Sequence, residues 1–496
     1  MNYTSSRNNK LSVSSAQAIV SGISSDGGLF VPESLPYFSL DKIEDMINLD
    51  YPHRSATVLS EFLPDFSFDE LLSFSRSAYD LSKFPVTPAA PLVNLGNGIE
   101  ILELFHGPTC AFKDFALQML PFFLTSALKK TGENKTAVIL TATSGDTGKA
   151  ALEGFADVPG VKICVFFPLG GTSTIQQLQM TTQKGGNVVS IAVRGNFDDA
   201  QSGVKKIFTD ADFAREVAEK GYFFSSANSI NWGRLAPQIS YYFSAYCELR
   251  KNGSIARGEE FNVTVPTGNF GDILAAYYAK ICGVPIKKLI CASNENNVLT
   301  DFINTGIYDR DRKFHLTTSP SMDILISSNL ERLIFELSGH DSELVKGYMD
   351  SLAKTKKYEI NGDIKQKISE LFAAGYADDV KTAETIGKYF KNFNYLCDPH
   401  TAVALNVCDQ YREKSSDDTV CVVVSTASPF KFAKSVLPAI GVPAPQNEFE
   451  ALDELCDISS LSIPDSLAQL RSLPVRFKQD IDSADMKSAV REWLSK

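Results

Sequence analysis

A chain of 496 residues and 54.3 kDa is long enough for two to four domains around a large buried core. Hydrophobic residues make up 44% and charged residues 22%, an ordinary globular balance that excludes global disorder and fibre. Lys and Arg number 48 against 59 Asp and Glu, and the resulting charge of −11 repels phosphate backbones and anionic lipid, so neither nucleic acid nor a membrane is expected as a partner.

Residues 1–95 are rich in Ser, Pro and Phe and lack strand–helix alternation, which predicts a separate amino-terminal domain ending at the Pro-marked FPVTPAAP. The start, MNYTSSRNNKLSVSSAQ, has no apolar signal core, and no apolar run approaches the roughly 18 residues a membrane span needs. Next comes ELFHGPTCAFKDFALQMLPFF (103–123), where Lys113 stands among Phe112, Asp114 and Phe115 ahead of a helix with Ala116, Leu120, Phe123 and Ala127 on its buried face. Desolvation favours the neutral, nucleophilic amine and suits it to a carbonyl compound, although a lysine that snorkels to water beside Asp114 would read the same way.

From residue 136 onward short β-branched runs alternate with amphipathic stretches. TAVILTATS (136–144), VKICVFF (161–167), NVVSIAV (187–193), YFFSS (222–226), FNVTVPT (261–267), KKLICAS (287–293) and TVCVVVST (419–426) read as buried strands of an α/β protein. After Asp272, the spacing of Leu274, Tyr277, Tyr278 and Ile281 predicts a helix with one face on the sheet. Three strand ends carry glycine or hydroxyl turns, where helix N-termini offer free amides to an anion. These are Ser144, Gly145, Asp146 and Thr147 in TATSGDTGKAAL, then Gly268, Asn269, Phe270, Gly271 and Asp272 in VPTGNFGDILAAYYAK, then Ser425 and Thr426 in VVVSTASPFKF. Any one of them would pass for an ordinary capped turn. None fits a Walker or dinucleotide fingerprint, so a phosphate-bearing cofactor of another kind is expected. Residues 300–400 read as a helical insertion, and 446–496, with several prolines, as a carboxy-terminal appendage. Nine cysteines without a Cys-x-x-Cys pair predict a reducing, cytoplasmic setting, and five histidines with no i, i+4 pair give no metal signature.

In order along the chain, HGPTCAFKDFALQ, TATSGDTGKAAL, NSINWGRLAPQ, VPTGNFGD, SPSMDILISSNLERL, DPHTAVA and STASPFKF closely resemble the signature segments of the threonine synthase family, in the long form found in fungi and many bacteria. The resemblance implies a pyridoxal 5'-phosphate enzyme of fold type II, similar to the tryptophan synthase β subunit. Its two open α/β domains would be 96–135 with 227–445, the large cofactor-binding one, and 136–226, the small one, beside the amino-terminal domain. It implies conversion of O-phospho-L-homoserine and water to L-threonine and phosphate, the last step of threonine biosynthesis, by a monomer or homodimer. Lys113 matches the family's Schiff-base lysine, Gly268 to Asp272 its cofactor-phosphate loop, and Thr426 the partner of the ring nitrogen. Ser144, Gly145, Asp146 and Thr147, with Asn228, Ser229, Asn231 and Arg234, match the segments that hold substrate. A phospho-lyase releasing 2-oxobutyrate, ammonia and phosphate from the same substrate is the alternative.

Overall fold

The computed structural model describes residues 1–143 and 145–495, and in it all seven apolar runs are strands, divided between two sheets. Ser144, one of the residues singled out above, lies outside the described residues. The first four runs, Thr136–Ala142, Val161–Pro168, Val188–Arg194 and Tyr222–Ser225, form a parallel sheet. A fifth strand on its edge, Asp480–Asp482, comes from the far end of the chain. The last fifty residues are therefore no appendage. Gln479 accepts from the Ala192 amide at 3.1 Å, Arg476 donates to the Gln183 and Gly185 carbonyls, and Glu448 accepts from the amides of Thr174 and Ile175, both at 2.9 Å. A three-residue strand among prolines carries too little periodicity to be read from sequence.

The second sheet runs Phe372–Tyr376, Ile286–Ser293, Phe261–Pro266, Cys421–Ser425, Ile99–Glu103, Leu92–Gly96 across its width. All neighbours are parallel except the last, which is antiparallel. The expected domain boundary at residue 95 therefore falls inside an edge strand of this sheet. Phe261–Pro266 and Cys421–Ser425 are buried throughout because helices cover both faces, which is why each reads as a continuous apolar run.

Both sheets contain a point where the strand order reverses. In the first, the chain steps from Thr136–Ala142 outward through Val161–Pro168 and Val188–Arg194, then returns to Tyr222–Ser225 on the opposite side. In the second it leaves Phe261–Pro266 through Ile286–Ser293 and Phe372–Tyr376 and returns to Cys421–Ser425. Connections diverge at such points and leave a crevice beyond the carboxyl ends of the two strands. Two helices rise beside these crevices, Lys113–Thr131 and Trp232–Lys251, which pack on each other. Both are buried on nearly every side, as is Gly271–Ile281. The single apolar face predicted for that last helix is too narrow, and Ile281, placed on it, is 40% exposed.

The amino-terminal residues form a three-stranded sheet, Asn8–Val13, Tyr3–Ser5 and Phe30–Pro32, with helices including Tyr51–Phe62 and Phe68–Ala78. Arg54 locks this part to the helix Trp232–Lys251: its buried guanidinium donates to Ser244 Oγ and to Glu248 Oε1. Among the described residues no helix is long and apolar enough to cross a membrane.

Candidate active site

Lys113 opens the helix Lys113–Thr131, and backbone pairing fixes where it does so. Residues 110–112 are stitched onto the end of the strand Cys421–Ser425: the Phe112 amide donates to the Thr426 carbonyl at 2.9 Å and the Ser428 amide to the Cys110 carbonyl at 3.1 Å. Thr426 is thus tied by a main-chain bond to Phe112, the residue before Lys113, independent of any side chain. The Lys113 side chain is 12% exposed, with Nζ 5.4 Å from the Phe112 ring centroid, 3.0 Å from Ser321 Oγ and 3.7 Å from Asp146 Oδ2. Burial pushes its pKa down, and the charges of Lys431 and Arg234 push the same way against the pull of Asp146.

Asp146 reaches this point from the first sheet. Its helix, Asp146–Phe155, starts after Gly145, whose φ of +150° no other residue adopts comfortably and whose Cβ, were there one, would lie 2.6 Å from Gln176. Thr143 Oγ1 accepts from the amides of Gly145 and Gly148, both at 3.0 Å, and anchors the turn from below. Asp146 Oδ1 takes Lys431 Nζ at 2.6 Å and Gln176 Nε2 at 2.9 Å. Burial alone would raise the Asp146 carboxyl, but the ammonium groups of Lys431 and Lys113 hold it far below the usual carboxylate range. Thr147, half-buried, follows in the first turn of the helix.

The turn Thr267–Asp272 lies at the reversal point of the second sheet. Phe270 sits at the N-cap of Gly271–Ile281 with φ +64° and supplies no capping oxygen, so the first-turn amides have no side-chain acceptor. A Cβ on Gly268 would come within 2.5 Å of the Ser321 carbonyl oxygen, and only glycine lets the two segments meet. The loop is braced from outside: the Asn329 amide and Nδ2 donate to the Asn269 carbonyl at 3.1 and 3.0 Å, and Ser327 Oγ to the Gly268 carbonyl at 2.8 Å. Asp272 points away from the crevice. Its Oδ1 accepts from Tyr241 and Tyr242 at 2.5 and 2.6 Å, and burial pushes its pKa up to about 6 despite those bonds. Its contribution to the loop is an amide, and its side chain is an internal anchor.

The NSINWGR segment begins the helix Trp232–Lys251. Asn231 caps it through Gly233 at 2.9 Å and gives both amide hydrogens to the carbonyls of Ile19 and Ser226 at 3.1 Å, so it is a structural tie. The Asn228 amide is held by Ser226 Oγ at 3.2 Å, and Ser229 is half-buried nearby. Arg234 is buried, donates from one terminal nitrogen to the Ala227 carbonyl at 2.9 Å, and leaves Nε without a partner. Burial lowers its pKa to about 10, so it remains charged at neutral pH.

Three cations, Lys113, Lys431 and Arg234, therefore share a crevice with one carboxylate, Asp146, in a chain of charge −11. Together with uncapped helix starts at Phe112, Gly145 and Phe270, that excess fits a ligand carrying several negative charges. Sequence reasoning did not single out Lys431, Ser321 or His400. Lys431 is five residues beyond Thr426 in the same turn, but a buried lysine looks like any other in sequence; Ser321 meets Lys113, and His400 meets Ser321, only through the fold.

Known proteins resemble the chain from end to end. Family models described as "Threonine synthase N terminus", "Pyridoxal-phosphate dependent enzyme" and "Threonine synthase, C-terminal" match residues 2–79, 83–426 and 401–490. The human protein "Threonine synthase-like 1" is 39% identical over 437 residues, 86% of this chain, which spans 58% of that relative's length. A threonine synthase of Pseudomonas aeruginosa is 38% identical over 481 residues, covering 95% of this chain and 97% of the relative. A solved structure of threonine synthase with bound pyridoxal phosphate from Brucella melitensis covers 100% of both chains with a TM-score of 0.88 at 36% identity.

Proposed function

The chain belongs to the threonine synthase family, and from that premise we propose that it converts O-phospho-L-homoserine and water to L-threonine and phosphate. One observation supports this reading most: a buried lysine whose neighbour Phe112 is bonded through its amide to the Thr426 carbonyl and which is linked, through Ser321, to an uncapped glycine turn, with three cations around one carboxylate. The residues fit pyridoxal phosphate. Lys113 would carry it, the amides of Gly268 to Asp272 would take its phosphate, and Thr426 would be the partner of its ring nitrogen. When bound, the cofactor supplies an electron-withdrawing ring that stabilises negative charge on substrate carbons.

Arg234, with one nitrogen still unpartnered, binds a carboxylate or phosphate of the substrate, for which a planar guanidinium is suited. The turn at Asp146 and Thr147 offers amides to a second anionic group. Lys113, its ammonium form disfavoured by burial, moves protons at the α and β carbons. Asp146 keeps a negative charge near the lysine and fixes Lys431 beside it. Nine unpaired cysteines fit a reducing compartment such as the cytoplasm.

The experiment is incubation of purified protein with O-phosphohomoserine and analysis of the products. Threonine and phosphate in equal amounts are expected, with borohydride reduction and peptide mapping placing the cofactor on Lys113 and Lys113→Ala losing both linkage and turnover. Release of 2-oxobutyrate and ammonia with phosphate in place of threonine would overturn the reading.

A further inference from the structure

Between the two sheets' crevices lies a single helical turn, Pro320–Met322, held from several directions. Its Ser321 carbonyl rests on Gly268, and its Ser321 hydroxyl accepts from Lys113 Nζ at 3.0 Å. The Ser321 amide donates to His400 Nε2 at 3.1 Å. His400 Nδ1 in turn lies 2.6 Å from Asp398 Oδ2. Asp398 accepts at Oδ1 from the Thr401 amide at 3.1 Å and from the Thr401 hydroxyl, and Thr401 Oγ1 lies 2.9 Å from Ser425 Oγ, the residue before Thr426. The His400 and Asp398 side chains are 2% and 0% exposed, and the Phe432 ring packs edge-on against the imidazole at 5.0 Å.

Chemistry fixes the protons in this chain of contacts. A backbone N–H can only donate, so His400 Nε2 is the bare nitrogen and Nδ1 carries the hydrogen toward Asp398. The imidazole is thus locked in one tautomer and one orientation, and it faces a peptide amide where a general acid or base would face substrate. Such an arrangement orients whatever lies beyond it. What lies beyond is a hydroxyl at the reacting nitrogen. We infer that Ser321 is a catalytic residue, hydrogen-bonded to the Lys113 amine whenever that amine is free, and that His400 and Asp398 are positioning residues that aim Ser321. The inference rests on Lys113 being the cofactor-bearing lysine proposed above.

In each cycle the substrate amine would take the place of Lys113 on the cofactor and Lys113 would later displace the product amine, so between the two exchanges the free lysine would have to keep its lone pair directed into the crevice. Asp146, 3.7 Å away, supplies charge but is already engaged by Lys431 and Gln176. The neutral Ser321 hydroxyl supplies direction without stabilising the ammonium form as a second carboxylate would.

The test uses full-length protein from which the cofactor is displaced by hydroxylamine, followed by readdition of pyridoxal phosphate and timed borohydride trapping at Lys113, alongside steady-state kinetics. Ser321→Ala should slow the return of the Lys113 linkage and lower kcat by about tenfold or more, with KM for O-phosphohomoserine within about twofold of wild type. His400→Leu, which removes the acceptor for the Ser321 amide, should match it. His400→Gln, whose side-chain oxygen can take that amide, should recover to within about threefold of wild type. If wild-type protein links at Lys113 and Ser321→Ala relinks and turns over at the wild-type rate, the inference is wrong while the lysine assignment stands. If His400→Gln is as impaired as His400→Leu, with unchanged melting of both, the positioning role is wrong. If wild-type protein links at another lysine, it is the reading beneath that fails.

Discussion

Arg234 is a charge buried at 4% exposure with a nitrogen left unpartnered, an arrangement that costs stability unless an anion arrives to satisfy it. Its worth should therefore show in binding and catalysis. Arg234→Ala is expected to reduce kcat/KM by on the order of 2–3 kcal/mol of transition-state binding while cofactor content stays near normal, since none of its contacts involve Gly268 to Gly271. Wild-type kinetics in that variant would remove Arg234 from the substrate site. Thr426 makes the complementary case. A hydroxyl opposite a pyridine nitrogen, the role proposed for Thr426, would stabilise the protonated ring far less than a carboxylate does and would keep the ring a moderate electron sink. Thr426→Asp should retain cofactor yet form threonine more slowly and leak 2-oxobutyrate, measured as a product ratio; an unchanged ratio and unchanged absorbance would place Thr426 away from the ring nitrogen.

Two helices that begin at the crevices have Phe112 and Phe270 where a capping side chain would stand, and in a third, after Gly145, Thr143 Oγ1 takes only the Gly148 amide of the first turn, whereas Ser14, Ser67, Asp50 and Asp341 cap helices elsewhere. Omitting the cap forgoes roughly 1 kcal/mol per helix and keeps amides available to a ligand. The helix Gly271–Ile281 carries a second cost in Asp272, whose pKa burial lifts from 3.8 to about 6. An acid with a raised folded-state pKa contributes its stability below the unfolded-state pKa and loses it as pH climbs through the folded one, here between about pH 4 and 6. Asp272→Asn keeps an acceptor for Tyr241 and Tyr242 but does not titrate. Its stability relative to wild type should improve by on the order of 2–3 kcal/mol from pH 4 to pH 7, read from urea unfolding. A gap that stays constant over that range would mean Asp272 ionises normally.

Elements with a strong period were legible in the sequence, and those without it were not. VKICVFF and NVVSIAV announce themselves as parallel strands, but FAAGY at 372–376 pairs at the sheet edge with three residues too small to give an apolar signal. The site divides the same way. The TSGDTG and PTGNFGD turns are local and visible, while Lys431 to Asp146 and Ser321 to His400 are contacts between segments far apart in the chain, set by which strand ends adjoin.

At the scale of the whole molecule, Asp146 and Lys431 form an ion pair between the halves: one follows the strand Thr136–Ala142 of the first sheet, the other the strand Cys421–Ser425 of the second. Both side chains are almost completely buried, at 3% and 0% exposure, so desolvation opposes the pair and its net contribution to stability is small. Removing one partner is a different matter, because the other stays buried with its charge. Lys431→Met should destabilise the protein by on the order of 3 kcal/mol, with Asp146 left to Lys113 and Gln176 alone. Asp146→Asn leaves Lys431, Lys113 and Arg234 facing one another without a carboxylate and should also lower stability. The double variant removes both charges and keeps the Gln176 contact, so it should recover to within about 1 kcal/mol of wild type by unfolding, yet remain inactive, because the lysine environment is gone. Recovered stability without recovered turnover would mean that the pair is retained for the chemistry at Lys113. A double variant as unstable as the sum of the single variants would mean that the pair holds the two sheets together.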